Sequence, residues 1–345
     1  MPAAGVRGAG GLCGYRRPWR SVQQLVGYFP TGYTAWNQLT GGPLADQTDV
    51  SSVAAMQRSE AQPSRGALVA VTIGAAASGF AHRDEWVYLP PAWFARQPVP
   101  RLPAIMMIGG EFNTPADWVR AGEAVSTLDR FAAAHGGYTP VVVFVDPSGA
   151  FDVDTECVNG PRGRAADHLT EDVVPYLIAT FGVSADPSKW GVVGFSAGGT
   201  CAVDLAVMHP SMFGTFIDIA GDLGPNAGTK AQTIDRLFGG DADAWSAFDP
   251  STVIARHGRY GDVAGLFAVA AAAARSAHGH DQDAAGSAAA DSLCALGKSN
   301  GITCAVVALP GKHDWPFAGR AFAATLPWLA GRLNTVPPQI TAVPS

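Results

Sequence analysis

The chain has 345 residues, 48% of them hydrophobic, and a net charge of -6. That composition excludes a disordered polypeptide, and with no basic stripe it excludes nucleic acid as an expected partner. The five cysteines include no Cys-x-x-Cys pair and no histidine cluster has zinc-ligand spacing, so no metal site is expected.

In chain order, residues 1–64 are rich in Gly, Pro, Gln, Thr and Ser and read as a poorly structured leader, with one short helix over 19–28. No apolar run reaches the about 18 residues of a membrane span, and the N-terminus lacks the apolar region of a signal peptide. Arg7, Arg16, Arg17 and Arg20 beside Trp19 fit the flank of an upstream membrane segment, and equally an ordinary basic tail. From Gly66 the pattern changes. Residues 68–73 and 85–89 form two antiparallel edge strands, and 103–108 is a continuous apolar run, the mark of a strand buried on both faces. It ends in Gly109-Gly110-Glu111-Phe112. A helix over 115–135, a strand over 141–145, a long loop holding Cys157, a helix over 168–181 and a strand over 190–193 follow.

Next come a helix over 197–208, a strand over 213–219 and a loop-like polar excursion over 221–259, expected to form a lid or pocket wall. The strand 266–270, a helix over 283–298, the strand 303–309 and a helix over 317–333 complete a catalytic domain spanning 65–334, and 335–345 is a loose tail. Alternating apolar strands and helices demand a mostly parallel, doubly wound α/β sheet with helices on both faces, and ligands bind at the carboxyl ends of its strands.

One of those ends carries Gly194-Phe195-Ser196-Ala197-Gly198, placed between a strand and a helix. This Gly-x-Ser-x-Gly turn presents a serine hydroxyl at the top of the sheet of an α/β-hydrolase fold. The bare pattern arises by chance in a glycine-rich chain, so the strand before it and the helix after it decide the reading. A serine needs a base and a third group that orients the base, in the chain order Ser, acid, His. Of the histidines after Ser196, only His313 sits in a loop after the last apolar strand, so His313 is the expected base. The acid is less distinct, because 271–274 is plain alanine. Asp281 is the first choice, Asp283 the second and Asp291 a distant third, since Asp283 also suits the N-terminus of a helix. The oxyanion of acyl transfer needs backbone donors, expected from the amide of Ala197 and from that of Glu111, with Phe112 as the near alternative.

Cys157 lies before the nucleophile and Cys201 in the helix just after it, while Cys294 and Cys304 flank a helix-to-strand connection. Two disulfides fit these positions, as do buried thiols; disulfides would place the protein outside the cytosol, in the cell envelope or secreted.

Residues 66–333 resemble the bacterial esterase family of α/β-hydrolases that includes esterase D and the antigen 85 mycolyltransferases. The carrying residues are Glu85-Trp86-Val87-Tyr88-Leu89-Pro90, Ile108-Gly109-Gly110-Glu111 at the family's oxyanion loop, the Ser196 turn, and Gly311-Lys312-His313-Asp314-Trp315, similar to the mycolyltransferases' Gly-x-His-x-Trp. The resemblance implies a serine hydrolase without cofactor, acting on a small-molecule or lipid carboxylic ester or thioester, or passing the acyl group to a sugar or lipid alcohol as an acyltransferase. The rival reading is a catalytically silent hydrolase-fold protein that binds envelope partners. The family's acid has no unambiguous match here and the mycolyltransferases' acyl-covering segment is not recognisable, so lipid and trehalose specificity are not carried over. The Ala, Gly and Pro content is similar to that of actinobacterial proteins. Oligomeric state has no signal in the sequence.

Overall fold

The apolar runs become the strands of one nine-stranded sheet in a computed structural model that describes residues 44, 47–58, 62–95, 98–150, 152–271 and 280–335, without the side chains of 280–284. The strands are β1 Gln47–Asp49, β2 Ala67–Val71, β3 Glu85–Leu89, β4 Ala104–Ile108, β5 Val141–Val145, β6 Trp190–Phe195, β7 Thr215–Ile219, β8 Ala264–Ala271 and β9 Thr303–Pro310. Their spatial order is β1-β2-β3-β5-β4-β6-β7-β8-β9. Strand β3 runs antiparallel to β2 and β5, and the other pairings are parallel. This is the expected mostly parallel α/β sheet.

Every residue of β4, β5 and β6 is buried, so these strands carry no polar alternation. Val192 packs with Cys201, Leu205 and Leu177 in one core cluster, whereas Phe195 meets Trp315 with ring centroids 5.2 Å apart. Helices therefore cover both faces. The helix after β6, α4 below, is buried over residues 198–207, Asp204 included, which explains why its sequence is apolar all round.

Four expectations are corrected. The fold starts before Gly66: β1 pairs with β2, Gln47 opposite Leu68, and helix α1, Val50–Arg58, sinks Val53 into the core. A strand of three residues with exposed and half-buried side chains leaves no period-2 signal. The helix read over 19–28 and most of the tail lie outside the described residues. The helix over 115–135 is two pieces, Asp117–Arg120 and α2, Ala124–Ala134, because Gly122 closes a turn on the Asp117 carbonyl and Glu123 takes φ 50.

The excursion over 221–259 is not a loop. After α3, Val174–Phe181, and α4, Ala197–Met208, it supplies α5, Lys230–Phe238, α6, Ala242–Phe248, and α7, Pro250–His257. Thr229 and Gln232 form a reciprocal capping box, and Asp241 and Asp249 accept the first N–H groups of α6 and α7. Those caps stood in the sequence as Thr-x-x-Gln and Asp-Pro. Last, α8 spans His280–Ser299 and α9 Trp315–Arg332, so Asp281 falls in a first helical turn instead of the loop before it.

Candidate active site

Strand β6 delivers Ser196 to the start of α4. Ser196 has φ 59 and ψ -125, a region a side-chain-bearing residue avoids at a cost of about 1–3 kcal/mol. The surroundings hold it there: its N–H donates to the Ile219 carbonyl (2.9 Å), and its own carbonyl accepts the Gly199 N–H (2.8 Å). The turn is closed so tightly that a Cβ on Gly194 would lie 1.7 Å from the Gly198 carbonyl oxygen. Only glycine fits at 194.

His313 reaches the serine from the loop after β9. Its Nε2 lies 3.0 Å from Ser196 Oγ, and its ring leans on Phe195 with centroids 5.0 Å apart. Both residues are half-buried at the rim of the sheet. Asp314, next along, accepts the Phe317 N–H at 2.8 Å as N-cap of α9. That anchors the loop where His313 must stand.

The expected oxyanion loop lies alongside. A Cβ on Gly110 would fall 2.9 Å from the Ser196 Cβ, so the backbone at 110 passes directly by the nucleophile. The Gly110 N–H is already given to Asn113 Oδ1 at 3.0 Å. Glu111 and Phe112 follow in the chain, and Phe112 turns through φ 61. Burial first, and then the charge of Asp154, raise the Glu111 carboxyl to about 7, against the opposing pull of Arg162. A hollow of about 10 Å³, roughly the space of one water, is lined by Gly110, Asp154, Glu156, Ala197 and Gly198.

Two disulfides are present, Cys157–Cys201 and Cys294–Cys304. The first fastens the loop that carries Asp154 and Glu156 to the nucleophile's own helix. Glu156 and Cys157 take φ 48 and 54, the left-handed region that side-chain-bearing residues adopt at a cost. Cys13 lies outside the described residues.

The environment under α4 is acidic. Asp218 at the end of β7 accepts the Gly221 N–H at 2.7 Å, and burial raises its carboxyl to about 7. Burial, with the charges of Asp249 and Asp218, pushes Asp204 well above the ordinary carboxylate range, and neither of its oxygens has a hydrogen bond.

Ser196 and His313 are thus brought together from 117 positions apart. Asp281 and Asp283 share the first turn of α8, and their side chains lie outside the described residues; Asp291 lies in the middle of α8, an exposed position. Sequence reasoning missed Asn113, which secures Gly110, and Arg83, whose guanidinium donates to the Asn113 carbonyl at 2.9 Å and pairs with Asp146 at 2.6 Å. Neither stands in a motif. A separate cleft of about 370 Å³ is lined by Asp222, Leu223, Trp245 and Asp249 of the excursion and by Ala285 and Ala289 of α8. The Lys230 ammonium stands 3.7 Å over the Trp245 ring.

Residues 83–329 match the family described as "Putative esterase". The chain belongs to this esterase family. An uncharacterised protein of Corynebacterium glutamicum is 32% identical over 271 residues, 77% of this chain and 62% of its own length, so the chain spans under two thirds of that relative. Among solved structures, a ferulic acid esterase superposes with a TM-score of 0.60 at 15% identity, covering 78% of this chain and 99% of that one. An S-formylglutathione hydrolase from Agrobacterium tumefaciens gives 0.57 at 20%, covering 76% and 99%, and MPT51 of Mycobacterium tuberculosis gives 0.50 at 20%, covering 77% and 100%. At these identities the likeness establishes the α/β-hydrolase fold.

Proposed function

We propose that the chain is a serine esterase that cleaves carboxylic esters or thioesters through an acyl-enzyme on Ser196. The observation that carries the proposal is the 3.0 Å approach of His313 Nε2 to Ser196 Oγ, on a turn whose strained serine backbone is held from both sides. The hydroxyl donates its proton to Nε2 as Oγ attacks the ester carbon, and the tetrahedral oxyanion takes hydrogen bonds from the amides of Ala197 and Glu111. The imidazolium then gives its proton to the leaving alcohol or thiol, and a water attacks the acyl-enzyme by the same route in reverse. Asp281 is assigned to orient His313, with Asp283 as the alternative. Membership of the esterase family supports the reaction class. The two disulfides support an extracytoplasmic setting.

A fluorophosphonate probe followed by peptide mapping tests this reading. Stoichiometric label on Ser196 is expected, absent in Ser196→Ala and strongly reduced in His313→Ala, with Asp281→Asn and Asp283→Asn separating the two candidate acids. No label on well-folded wild type would sink the proposal.

A further inference from the structure

His82, Glu85 and His168 come from separate places in the chain and meet beside the antiparallel strand. Glu85 opens β3, His82 stands three residues ahead of it, and His168 begins the π-helical turn His168–Val173. One ligand atom from each lies within 4.8 Å of the other two. His82 Nδ1 is 3.9 Å from Glu85 Oε2, and His168 Nε2 is 3.3 Å from Glu85 Oε1. The side chains are 8%, 0% and 0% exposed, in the order His82, Glu85, His168.

The remaining ring nitrogens are engaged behind the cluster. His82 Nε2 lies 2.8 Å from the Ile73 carbonyl and His168 Nδ1 lies 3.4 Å from Asp172 Oδ2. A histidine that gives one nitrogen to a carbonyl or carboxylate has its tautomer fixed and presents the other as a lone pair, the usual support behind a metal-bound imidazole. Glu85 Oε1 accepts the Asp146 N–H at 2.9 Å, but Glu85 Oε2 is buried with no hydrogen bond at all. An orphaned carboxylate oxygen in such a place calls for a partner.

We propose that His82 Nδ1, Glu85 and His168 Nε2 hold one divalent first-row transition-metal ion, with the Arg83 carbonyl, 2.9 Å from His82 Nδ1, as a fourth ligand. Neighbouring ligands around a zinc ion stand about 3.4 Å apart; His82 Nδ1 lies 2.9 Å from the Arg83 carbonyl and 3.9 Å from Glu85 Oε2, and His168 Nε2 lies 3.3 Å from Glu85 Oε1, so both carboxylate oxygens are within ligand reach of the imidazoles. Two imidazoles and oxygen donors without a thiolate suit zinc and its neighbours in the series. The site is closed and buried, so the ion is structural and leaves no position for substrate. Its consequence reaches the nucleophile through one chain of contacts: Arg83, between two ligands, donates to the Asn113 carbonyl, and Asn113 holds the Gly110 N–H beside Ser196. Loading the ion stiffens the wall of the catalytic rim.

The test uses untagged protein stripped with chelator and reloaded with zinc sulfate, read by elemental analysis after gel filtration and by thermal melting. About one equivalent of zinc and a rise in Tm on the order of 5 °C are expected, both lost in His82→Asn, Glu85→Gln and His168→Gln. Ser196→Ala should bind zinc as wild type does, which separates this proposal from the catalytic one. A zinc-edge anomalous map of wild-type crystals decides the matter even if the variants do not fold. A peak between the three side chains upholds the site; bound zinc below about a tenth of an equivalent, or a peak elsewhere, for instance at His278 and His280, overturns it and leaves the cluster as an ionic network.

Discussion

Two histidines of this chain mark two ways of using the same side chain. His313 stands half-buried on the rim, 3.0 Å from a serine hydroxyl, held by a capped loop. His168 is wholly buried between Glu85 and Asp172, stacked on His82 with ring centroids 4.1 Å apart. Partial exposure leaves the first open to the proton exchange that the proposed reaction asks of it, while the second is held by partners on both sides. Burial and partners, more than residue type, divide chemistry from architecture here.

The sharpest way to break the comparison is at the rim. Ser196→Ala or His313→Ala should lower kcat/KM by about 10⁴- to 10⁶-fold while leaving Tm nearly unchanged, measured on a chromogenic short-chain ester. Retained activity in both would remove the catalytic role. At the framework the expected effect is the reverse. His168→Ala should destabilise by about 3–5 kcal/mol in urea unfolding, because two buried carboxylates lose their shared partner, while the folded fraction still takes fluorophosphonate on Ser196. A neutral outcome in urea would show that the two carboxylates do not depend on His168.

Smaller effects come from the tethers. Removing Cys157–Cys201, with a sequence separation of 44, should cost about 4 kcal/mol, and removing Cys294–Cys304, with a separation of 10, about 3 kcal/mol. The first should also slow acylation, since it frees the loop beside the oxyanion wall; equal activity in the two double-serine variants would contradict that placement. The smallest expected effect is on pH. Asp218 and Glu111 have folded-state values near 7, above their ordinary values of 3.8 and 4.5, so the fold binds their protons more tightly than the unfolded chain. Their contribution is complete below about 4 and is lost as pH rises toward and through 7. Tm should therefore fall by about 2–5 °C between pH 5 and pH 8, less so in Asp218→Asn. A Tm that climbs over that range would show these carboxylates to be ionised at little cost.

The rim was legible because its residues are bound to local patterns. A strand, two glycines and a helix must flank an exposed nucleophile, so residues 190–208 declared Ser196, and the last strand's loop singled out His313. The acid was not legible: 271–274 is alanine, and nothing local separates Asp281 from Asp283. The helices of the excursion were missed although their caps were written in Thr229-x-x-Gln232 and Asp249-Pro250, because weak apolar periodicity outweighed them. Asn113 acts locally, three residues from Gly110, but stands in no motif, and Arg83 had no signal, since it acts on a backbone carbonyl 30 residues away that only the folded chain brings near.

By itself the sequence determined the α/β sheet and the order of its main strands from residue 66 on, the glycine-flanked turn at Ser196 and the candidate base, because continuous apolar runs, glycine requirements and helix stops act over a few residues. Tertiary structure alone decided that β1 joins the sheet, that Arg83 reaches the Asn113 carbonyl, that Cys157 and Cys201 meet, and that His168 converges on His82 and Glu85. These contacts join segments far apart in the chain. Their energy comes from burial and from partners found only on folding, and neither leaves a mark on residue spacing.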